Sequence, residues 1–169
     1  MADWRERSEI NGDVVFFQYA SAKDELSFNE VFIWDLDKTY LDTKIDSLSG
    51  LLQTIVEKAL NKKNVPGTNI LLQNLAKFQK ANSTLEKTTK DNENFFPMYF
   101  ISASPPQMEE RIFEKFTIDG IKPLGCFYKD NLANIHPKKF WKLTKQVGYK
   151  VQALMQLRAR LQDDVHQIC

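Results

Sequence analysis

Cysteine and histidine are scarce in this chain of 169 residues, which contains two of each. Cys126 and Cys169 lie far apart in the sequence, and one of them is the last residue. Such spacing is typical neither of a disulfide framework nor of a cysteine metal site. We therefore expect a cytoplasmic protein whose cysteines bind no metal.

Long apolar runs and an excess of one charge are also missing. No apolar stretch approaches the roughly 18 residues that a membrane-spanning helix needs, and the charged residues 1–7 do not resemble a signal peptide. The 23 basic and 22 acidic side chains leave a net charge of +1, which favours neither nucleic acid nor a membrane as partner. With 43% hydrophobic residues, the composition is typical of one soluble domain with its own core.

The segment 31–43 carries the clearest chemical pattern. Four apolar residues, Val31–Trp34, end in Asp35 and Asp37, and Thr39 follows. A short apolar run bounded by polar residues is typical of a buried strand. Asp35 is therefore expected at the carboxyl end of a central strand and Asp37 in the loop beyond, where open α/β sheets bind ligands. A pair of surface aspartates in a turn is the alternative that the motif alone leaves open.

The two carboxylates of Asp35 and Asp37 suit phosphate chemistry. Like charges so close together raise each other's pKa unless a cation lies beside them. Mg²⁺ commonly binds one or two carboxylates together with water and phosphate oxygens. One carboxylate can attack phosphorus and form an aspartyl-phosphate, and a second can act as general acid and then as general base. Both residues are thus candidates for catalysis and for Mg²⁺ binding.

A second polar cluster follows the segment 96–101, whose aromatic and β-branched residues predict another strand. Ser102 is the first polar residue after it, and Ser104 precedes Pro105, which suits the first turn of a helix. A hydroxyl and main-chain N–H groups before a helix can bind phosphate, so Ser102 and Ala103 are candidates for that contact. The alternative is that both serines only cap the helix. Of the two, Ser104 is the one that we expect to cap it.

Lys150 follows Gly148 and Tyr149 and is expected to open a helix. The helix dipole disfavours a lysine there, so its presence indicates a nearby anion. Lys145 is the fallback for the same role. The lysines and aromatic residues of 138–150 also permit a nucleic-acid surface, although a solvated helix face explains the same pattern.

Other patterns outline the rest of the fold. Residues 14–19 predict a short strand or an extended arm within an N-terminal region 1–29. Amphipathic helices are expected over 47–61, as core packing or as a small lid, and over 69–80. A third strand is expected over 126–128. In the helix over 69–80, the residues expected to face inward are Ile70, Leu71, Leu75 and Phe78. In the helix that follows Pro105 they are Ile112, Phe113 and Phe116, and in the helix at Lys150 they are Val151, Leu154, Met155, Leu157 and Leu161.

Together, these motifs resemble the phosphatase form of the haloacid dehalogenase superfamily. The segments that carry the resemblance are Asp-Leu-Asp-Lys-Thr-Tyr-Leu (35–41), Val-Pro-Gly (65–67), Phe-Ile-Ser-Ala-Ser-Pro-Pro-Gln-Met (100–108), Asp-Gly-Ile (119–121) and Val-Gly-Tyr-Lys (147–150). In this order they are similar to a bacterial branch of the phosphatidate phosphatase catalytic-domain family. The similarity covers residues 30–169.

The resemblance implies a fold, a reaction and a set of site residues. The fold is a Rossmann-like α/β core with a central parallel sheet and a minimal helical cap. The reaction is Mg²⁺-dependent hydrolysis of a phosphorylated small molecule or lipid head group through an aspartyl-phosphate. The implied residues are Asp35 as nucleophile and metal ligand, Asp37 as acid/base and metal ligand through its main-chain carbonyl, Ser102 and Lys150 on the phosphate, and Thr39 and Ala103 as secondary candidates.

One part of the family pattern is missing. In the superfamily a fourth strand, here expected over 164–169, ends in a Gly-Asp or Asp-Asp cluster that binds Mg²⁺. Asp163 and Asp164 precede that strand, and a strand length of about 13–20 Å would separate them from its carboxyl edge, so we exclude them as ligands. The sequence therefore predicts either a chain truncated at its C-terminus or a domain that binds phosphate or a partner without turnover.

Overall fold

A computed structural model describes residues 3–21, 28, 30–42, 63–82, 95–130, 146–161 and 166–168. These residues form a mixed α/β fold around one sheet. Its strands are β1 (Glu9–Asn11), β2 (Val14–Gln18), β3 (Glu30–Asp35), β4 (Phe96–Ile101), β5 (Pro123–Lys129) and β6 (His166–Ile168). The helices are α1 (Thr68–Asn82), α2 (Glu109–Ile118) and α3 (Gln146–Arg160), with short 3-10 helices at Trp4–Arg7 and Pro106–Met108.

The sheet has the strand order β1-β2-β5-β4-β3-β6. β3 pairs in parallel with β4 on one side and with β6 on the other, and β4 pairs in parallel with β5. The expected parallel strands are therefore present, and β3 lies between two of them. The sheet as a whole is mixed because β1 and β2 form an antiparallel hairpin, and β2 also pairs antiparallel with β5.

The N-terminal apolar segment forms part of this sheet. The strand predicted over 14–19 is confirmed as β2, and its partner, which the sequence did not indicate, is β5. Val14–Phe17 are buried because the strand lies between β1 and β5 and both of its faces are covered. The expected strand over 126–128 is likewise confirmed within the longer, fully buried β5.

Two apolar clusters cover the two faces of the sheet, as alternation along a strand requires. On one face, Ile33 and Phe127 pack with residues of α3 such as Leu157. On the other face, Phe100 packs with Phe116 of α2, their rings 4.6 Å apart. The carboxyl ends of β3, β4 and β5 are thereby held at one edge between these two layers.

The helix predicted over 69–80 is confirmed as α1, but its predicted inward face is wrong. Ile70 and Phe78 are 68% and 64% exposed, whereas Leu72 and Ala76 are buried. Apolar residues occur on more than one side of this helix, and residues four apart share a face. Packing against the sheet selects Leu72 and Ala76, with the predicted Leu75 partly buried.

The inward faces of α2 and α3 also differ in part from the prediction. In α2, Ile112 and Phe116 are buried as expected, but Phe113 is 43% exposed. In α3, Val151 and Met155 are exposed, whereas Leu157 and the following Leu161 are buried as expected and Leu154 is partly buried. The buried row, spaced four residues apart, consists of Tyr149, Ala153 and Leu157 in α3 and Leu161 just beyond the end of the helix. A small alanine fits where the helix approaches the sheet closely, which apolar periodicity alone does not indicate.

Several predictions fall on residues outside the described ones. These are the helix or lid over 47–61, the fallback Lys145 with most of the basic segment 138–150, and Asp163 and Asp164. The predicted fourth strand is confirmed where it is described, as β6 beside β3. Among the described helices, none has the length and apolar character needed to cross a membrane.

Candidate active site

The candidate site begins where β3 and β4 end side by side. Asp35 is the last residue of β3 and pairs in parallel with Ile101, the last residue of β4. Ser102 follows directly, and its N–H donates to the main-chain oxygen of Phe127 in β5 at 2.8 Å. The predicted acidic and hydroxyl residues therefore meet at one edge of the sheet, because parallel strands end at the same side.

A tight turn after β3 brings Asp37 back toward β4. The N–H groups of Tyr40 and Leu41 both donate to the Leu36 carbonyl, at 3.1 and 2.9 Å, and Lys38 N–H donates to the Leu41 carbonyl at 2.8 Å. Lys38 has a φ of 60°, the left-handed conformation that residues other than glycine rarely adopt. Such a position costs of order 1–3 kcal/mol and tends to occur at functional sites. This turn directs the Asp37 side chain to the loop after β4.

Lys150 contacts the first carboxylate of the motif. Its Nζ lies 2.8 Å from Asp35 Oδ2, and the hydroxyl of Thr39 donates to the same oxygen at 3.4 Å. α3 begins at Gln146, so Lys150 lies in the second turn, and the prediction that it opens the helix is wrong. Its contact with an anion, which motivated its selection, is present nonetheless.

The other oxygen of Asp35 has a different environment. Asp35 Oδ1 is buried and accepts no hydrogen bond within the described part of the chain. A buried carboxylate oxygen without a donor is costly. The position therefore fits a cation or a further donor supplied by a ligand.

The Asp37 carboxylate accepts three hydrogen bonds from the loop after β4. Ser102 Oγ and Ala103 N–H each donate to Oδ2 at 2.8 Å, and Ser104 Oγ donates to Oδ1 at 3.0 Å. Both serines are fully buried. We call this loop segment, Ser102–Ser104, the serine loop. It binds a carboxylate with the kind of donors that also bind phosphoryl oxygens.

Burial raises the pKa of the Asp37 carboxyl above its ordinary value, while the three hydrogen bonds that it accepts act in the opposite direction. The charge of Asp35 raises the pKa further. A carboxyl group that retains its proton more readily than usual is suited to general acid catalysis at neutral pH. The two neighbouring aspartates thus have different environments, one paired with a lysine and one enclosed by the serine loop.

The structure brings the six predicted site residues together at one edge of the sheet. They are Asp35, Asp37, Thr39, Ser102, Ala103 and Lys150. The prediction for Ser104 is wrong, since its hydroxyl donates to Asp37 and caps neither the 3-10 helix nor α2. Sequence reasoning therefore missed a site residue, although the repeated serine in Ser-Ala-Ser was a visible signal.

The described residues supply few ligands for a metal. They contain no group of three or more histidine, cysteine or acidic side chains that could hold one. Asp35 Oδ1 is the buried oxygen that fits a cation, and Mg²⁺ can bind through one or two carboxylates with water and substrate phosphate completing its shell. A magnesium ion held by Asp35 and the Asp37 main-chain carbonyl is compatible with this donor set.

Comparison with models of known protein families, with curated proteins and with solved structures finds no match to this chain. The resemblance of its motifs to the haloacid dehalogenase superfamily accordingly remains a prediction.

Proposed function

We propose that this chain hydrolyses a phosphomonoester through an aspartyl-phosphate at Asp35, as a member of the haloacid dehalogenase superfamily. The observation that carries the proposal is the contact of Lys150 Nζ with Asp35 Oδ2 at 2.8 Å, beside the enclosed carboxyl of Asp37. A lysine on one carboxylate and phosphate-type donors on the next form the set that phosphoryl transfer requires, because that reaction is catalysed chiefly by positioning and charge.

In the first half of the proposed reaction, the Asp35 carboxylate attacks phosphorus. The bond from phosphorus to the leaving oxygen breaks, and Asp37 gives its proton to that oxygen. In the second half, Asp37 takes a proton from water, which attacks the same phosphorus and releases Asp35 and phosphate. General acid–base catalysis of this kind contributes about 10²–10⁴-fold in rate.

The remaining residues offset negative charge during both steps. Lys150 stabilises Asp35 and the phosphoryl oxygens, and Ser102 with the Ala103 N–H donates to those oxygens. Asp35 and the Asp37 carbonyl would hold Mg²⁺, which supplies further neutralisation of phosphate charge when bound. Thr39 orients Asp35 through its weak hydrogen bond at 3.4 Å.

The order of the parallel strands supports a Rossmann-like core. Along the sheet the parallel strands run β5-β4-β3-β6, so the first of them in the chain, β3, lies between the second and the last. This is the order of the first four strands of the classic doubly wound fold, which binds ligands outside the carboxyl ends of its strands. Asp35 and Ser102 occupy those ends. The fold supports the proposed family but does not by itself specify the reaction.

The substrate class we propose is a phosphorylated small molecule or lipid head group in the cytoplasm. Phosphate is the group that the site would bind. The lipid alternative comes from the similarity of the motifs to the phosphatidate phosphatase family. Cys126, a buried free thiol, is compatible with a reducing compartment.

A second candidate function is phosphate or partner binding without turnover. One contact favours it: the Ser102 hydroxyl, expected on the phosphoryl group, donates to Asp37 instead. The Ser102 hydroxyl and the Ala103 N–H must release Asp37 Oδ2 before they can bind phosphate.

Hydrolysis of p-nitrophenyl phosphate with and without Mg²⁺ tests the proposal, with Asp35→Asn as the matched variant. We expect Mg²⁺-dependent turnover in the wild type that is lost in Asp35→Asn. Equal rates in both proteins would contradict the role of Asp35. Absence of turnover in both, together with retained binding of inorganic phosphate, would favour the second candidate.

A further inference from the structure

Ser104 has contacts that a helix cap does not explain. Its hydroxyl donates to Asp37 Oδ1 at 3.0 Å, and no side-chain hydrogen bond caps the 3-10 helix that follows or α2. Its side chain is completely buried. A buried hydroxyl directed at a carboxylate makes a charge-assisted hydrogen bond, which is among the stronger ones in proteins.

The main chain of Ser104 fixes the position from which this hydroxyl acts. Its carbonyl accepts the N–H of Lys129 in β5 at 3.1 Å, and its own N–H donates to Ser102 Oγ at 3.0 Å. Ser104 is thus attached to the sheet on one side and to Ser102 on the other. Its hydroxyl has little freedom to follow a moving carboxylate, so it defines where Oδ1 of Asp37 lies.

The two oxygens of Asp37 are held by different groups. The Ser102 hydroxyl and the Ala103 N–H both donate to Oδ2, whereas the Ser104 hydroxyl donates to Oδ1. Rotation about the bond to Cβ moves both oxygens, so either contact restrains it while both are present. When the two donors at Oδ2 bind substrate instead, the Ser104 contact at Oδ1 is the one of the three that still restrains this rotation. Ser104 therefore contributes orientation rather than only one more hydrogen bond.

We propose that Ser104 is the positioning residue for Asp37, holding the acid/base carboxyl in place when the Ser102 hydroxyl and the Ala103 N–H donate to the phosphoryl group instead of Oδ2. This inference rests on the proposed function, in which those two donors bind substrate oxygens. When they leave Oδ2, the contact at Oδ1 persists and keeps Asp37 beside the leaving oxygen. Ser102 then acts on substrate, and Ser104 acts only through Asp37.

The two serines should consequently differ in kinetics. Ser102→Ala removes a substrate contact and should raise KM as well as lower kcat. Ser104→Ala should leave KM within about twofold and lower kcat about 10- to 100-fold, since a misplacement of the order of 1 Å can cost about 10²-fold. Ser104→Thr keeps the hydroxyl and should restore much of kcat. Ser8→Ala, which alters another serine with a buried hydroxyl outside the site, is the matched control.

A second readout does not depend on turnover. The Ala103 amide proton donates to the Asp37 carboxylate, so its NMR chemical shift reports the position of that carboxylate. In the ¹⁵N-labelled full chain, Ser104→Ala should move this resonance toward its position in Asp37→Ala. Ser104→Thr, which changes the same neighbouring residue but keeps the hydroxyl, should move it less. If Ser104→Ala fails to fold, Ser104→Cys keeps the size of the side chain with a weaker donor and should move the resonance in the same direction.

The outcomes are distinct. A lower kcat at constant KM with a shifted Ala103 resonance supports the proposal. An unshifted resonance, or wild-type kcat in Ser104→Ala, overturns it while leaving the proposed function intact. A wild type without turnover overturns the proposed function, and the Ala103 resonance then decides alone whether Ser104 orients Asp37.

Discussion

Lys150 Nζ lies 2.8 Å from Asp35 Oδ2. This contact joins the second turn of α3 to the carboxyl end of β3. The side chains of Lys150 and Asp35 are 32% and 36% exposed. An ion pair with this exposure contributes at most about 1 kcal/mol to folding. We therefore attribute its importance to charge in the site rather than to stability of the fold.

Replacing this lysine should reduce activity with little effect on folding. Lys150→Met should lower kcat/KM about 10²–10³-fold, the usual loss when one group that stabilises transition-state charge is removed. Its free energy of unfolding in urea should stay within about 1 kcal/mol of wild type. Lys77→Met, which alters an exposed lysine on α1, is the control. Equal activity of the two variants would remove Lys150 from the mechanism.

Gly125 is required by the close approach of β2 to β5. A Cβ at this position would lie 2.5 Å from the Phe16 ring and 2.8 Å from the Phe17 main-chain oxygen. Gly125→Ala should therefore destabilise the fold by about 1–3 kcal/mol through overpacking. Gly148, within α3, has no such neighbour among the described residues, and Gly148→Ala should stabilise by about 0.5–1 kcal/mol. Urea unfolding of the two variants measures both changes in the free energy of unfolding. Changes of the same sign would contradict the packing of β2 on β5.

The pair of Lys115 and Asp119 connects α2 to the turn that carries the site. Lys115 Nζ lies 2.6 Å from Asp119 Oδ1, and both side chains are almost buried. Tyr40 and Asn64 donate to Asp119 Oδ2. Lys115→Met should cost about 3–5 kcal/mol in unfolding free energy, since it leaves a buried charge without its cation.

The neighbouring pair on the same helix provides the control for Lys115. Arg111 and Glu114 are each 49% exposed and 3.3 Å apart. Arg111→Met should therefore cost less than about 1 kcal/mol. If the two substitutions lower the free energy of unfolding by the same amount, the burial of the Lys115–Asp119 pair is contradicted.

Glu109 makes stability depend on pH. Burial raises the pKa of its carboxyl above the ordinary value of 4.5, although Arg7, 3.1 Å away, acts in the opposite direction. The folded state therefore holds the Glu109 proton more tightly than the unfolded state, and stability falls as pH rises from 4.5 through the folded pKa. Glu109→Gln should remove this contribution to the loss of stability with rising pH. The loss is measured as the change in the free energy of unfolding between acidic and neutral pH. Glu110→Gln, in the same turn and 50% exposed, should retain the wild-type slope, and an unchanged slope in Glu109→Gln would contradict the assignment.

The ends of β3 and β4 could be predicted from the sequence because each apolar run stops at a polar residue. Asp35 follows Trp34 and Ser102 follows Ile101, and parallel pairing then places both residues at one edge. Lys150 could be selected as a cation near an anion, although its place in the helix was wrong. These features follow from local pattern and from the geometry that all parallel sheets share.

The features that could not be predicted depend on tertiary packing. Ser104 before Pro105 has the pattern of a helix cap, and only the turn at Lys38 brings Asp37 within its reach. Likewise, α1 has apolar residues on several sides, and its contact with the sheet selects Leu72 and Ala76. Where one local pattern fits two arrangements, the sequence alone does not distinguish between them.

The central claim is that Asp35 accepts the phosphoryl group, and chemical trapping tests it most directly. The full chain is mixed with p-nitrophenyl phosphate and Mg²⁺, quenched and reduced with borohydride, which converts an aspartyl-phosphate to homoserine. Peptide mass spectrometry should then find residue 35 reduced in the wild type and unmodified in a sample without substrate. Turnover with an unmodified Asp35, or reduction at another aspartate, would contradict the account.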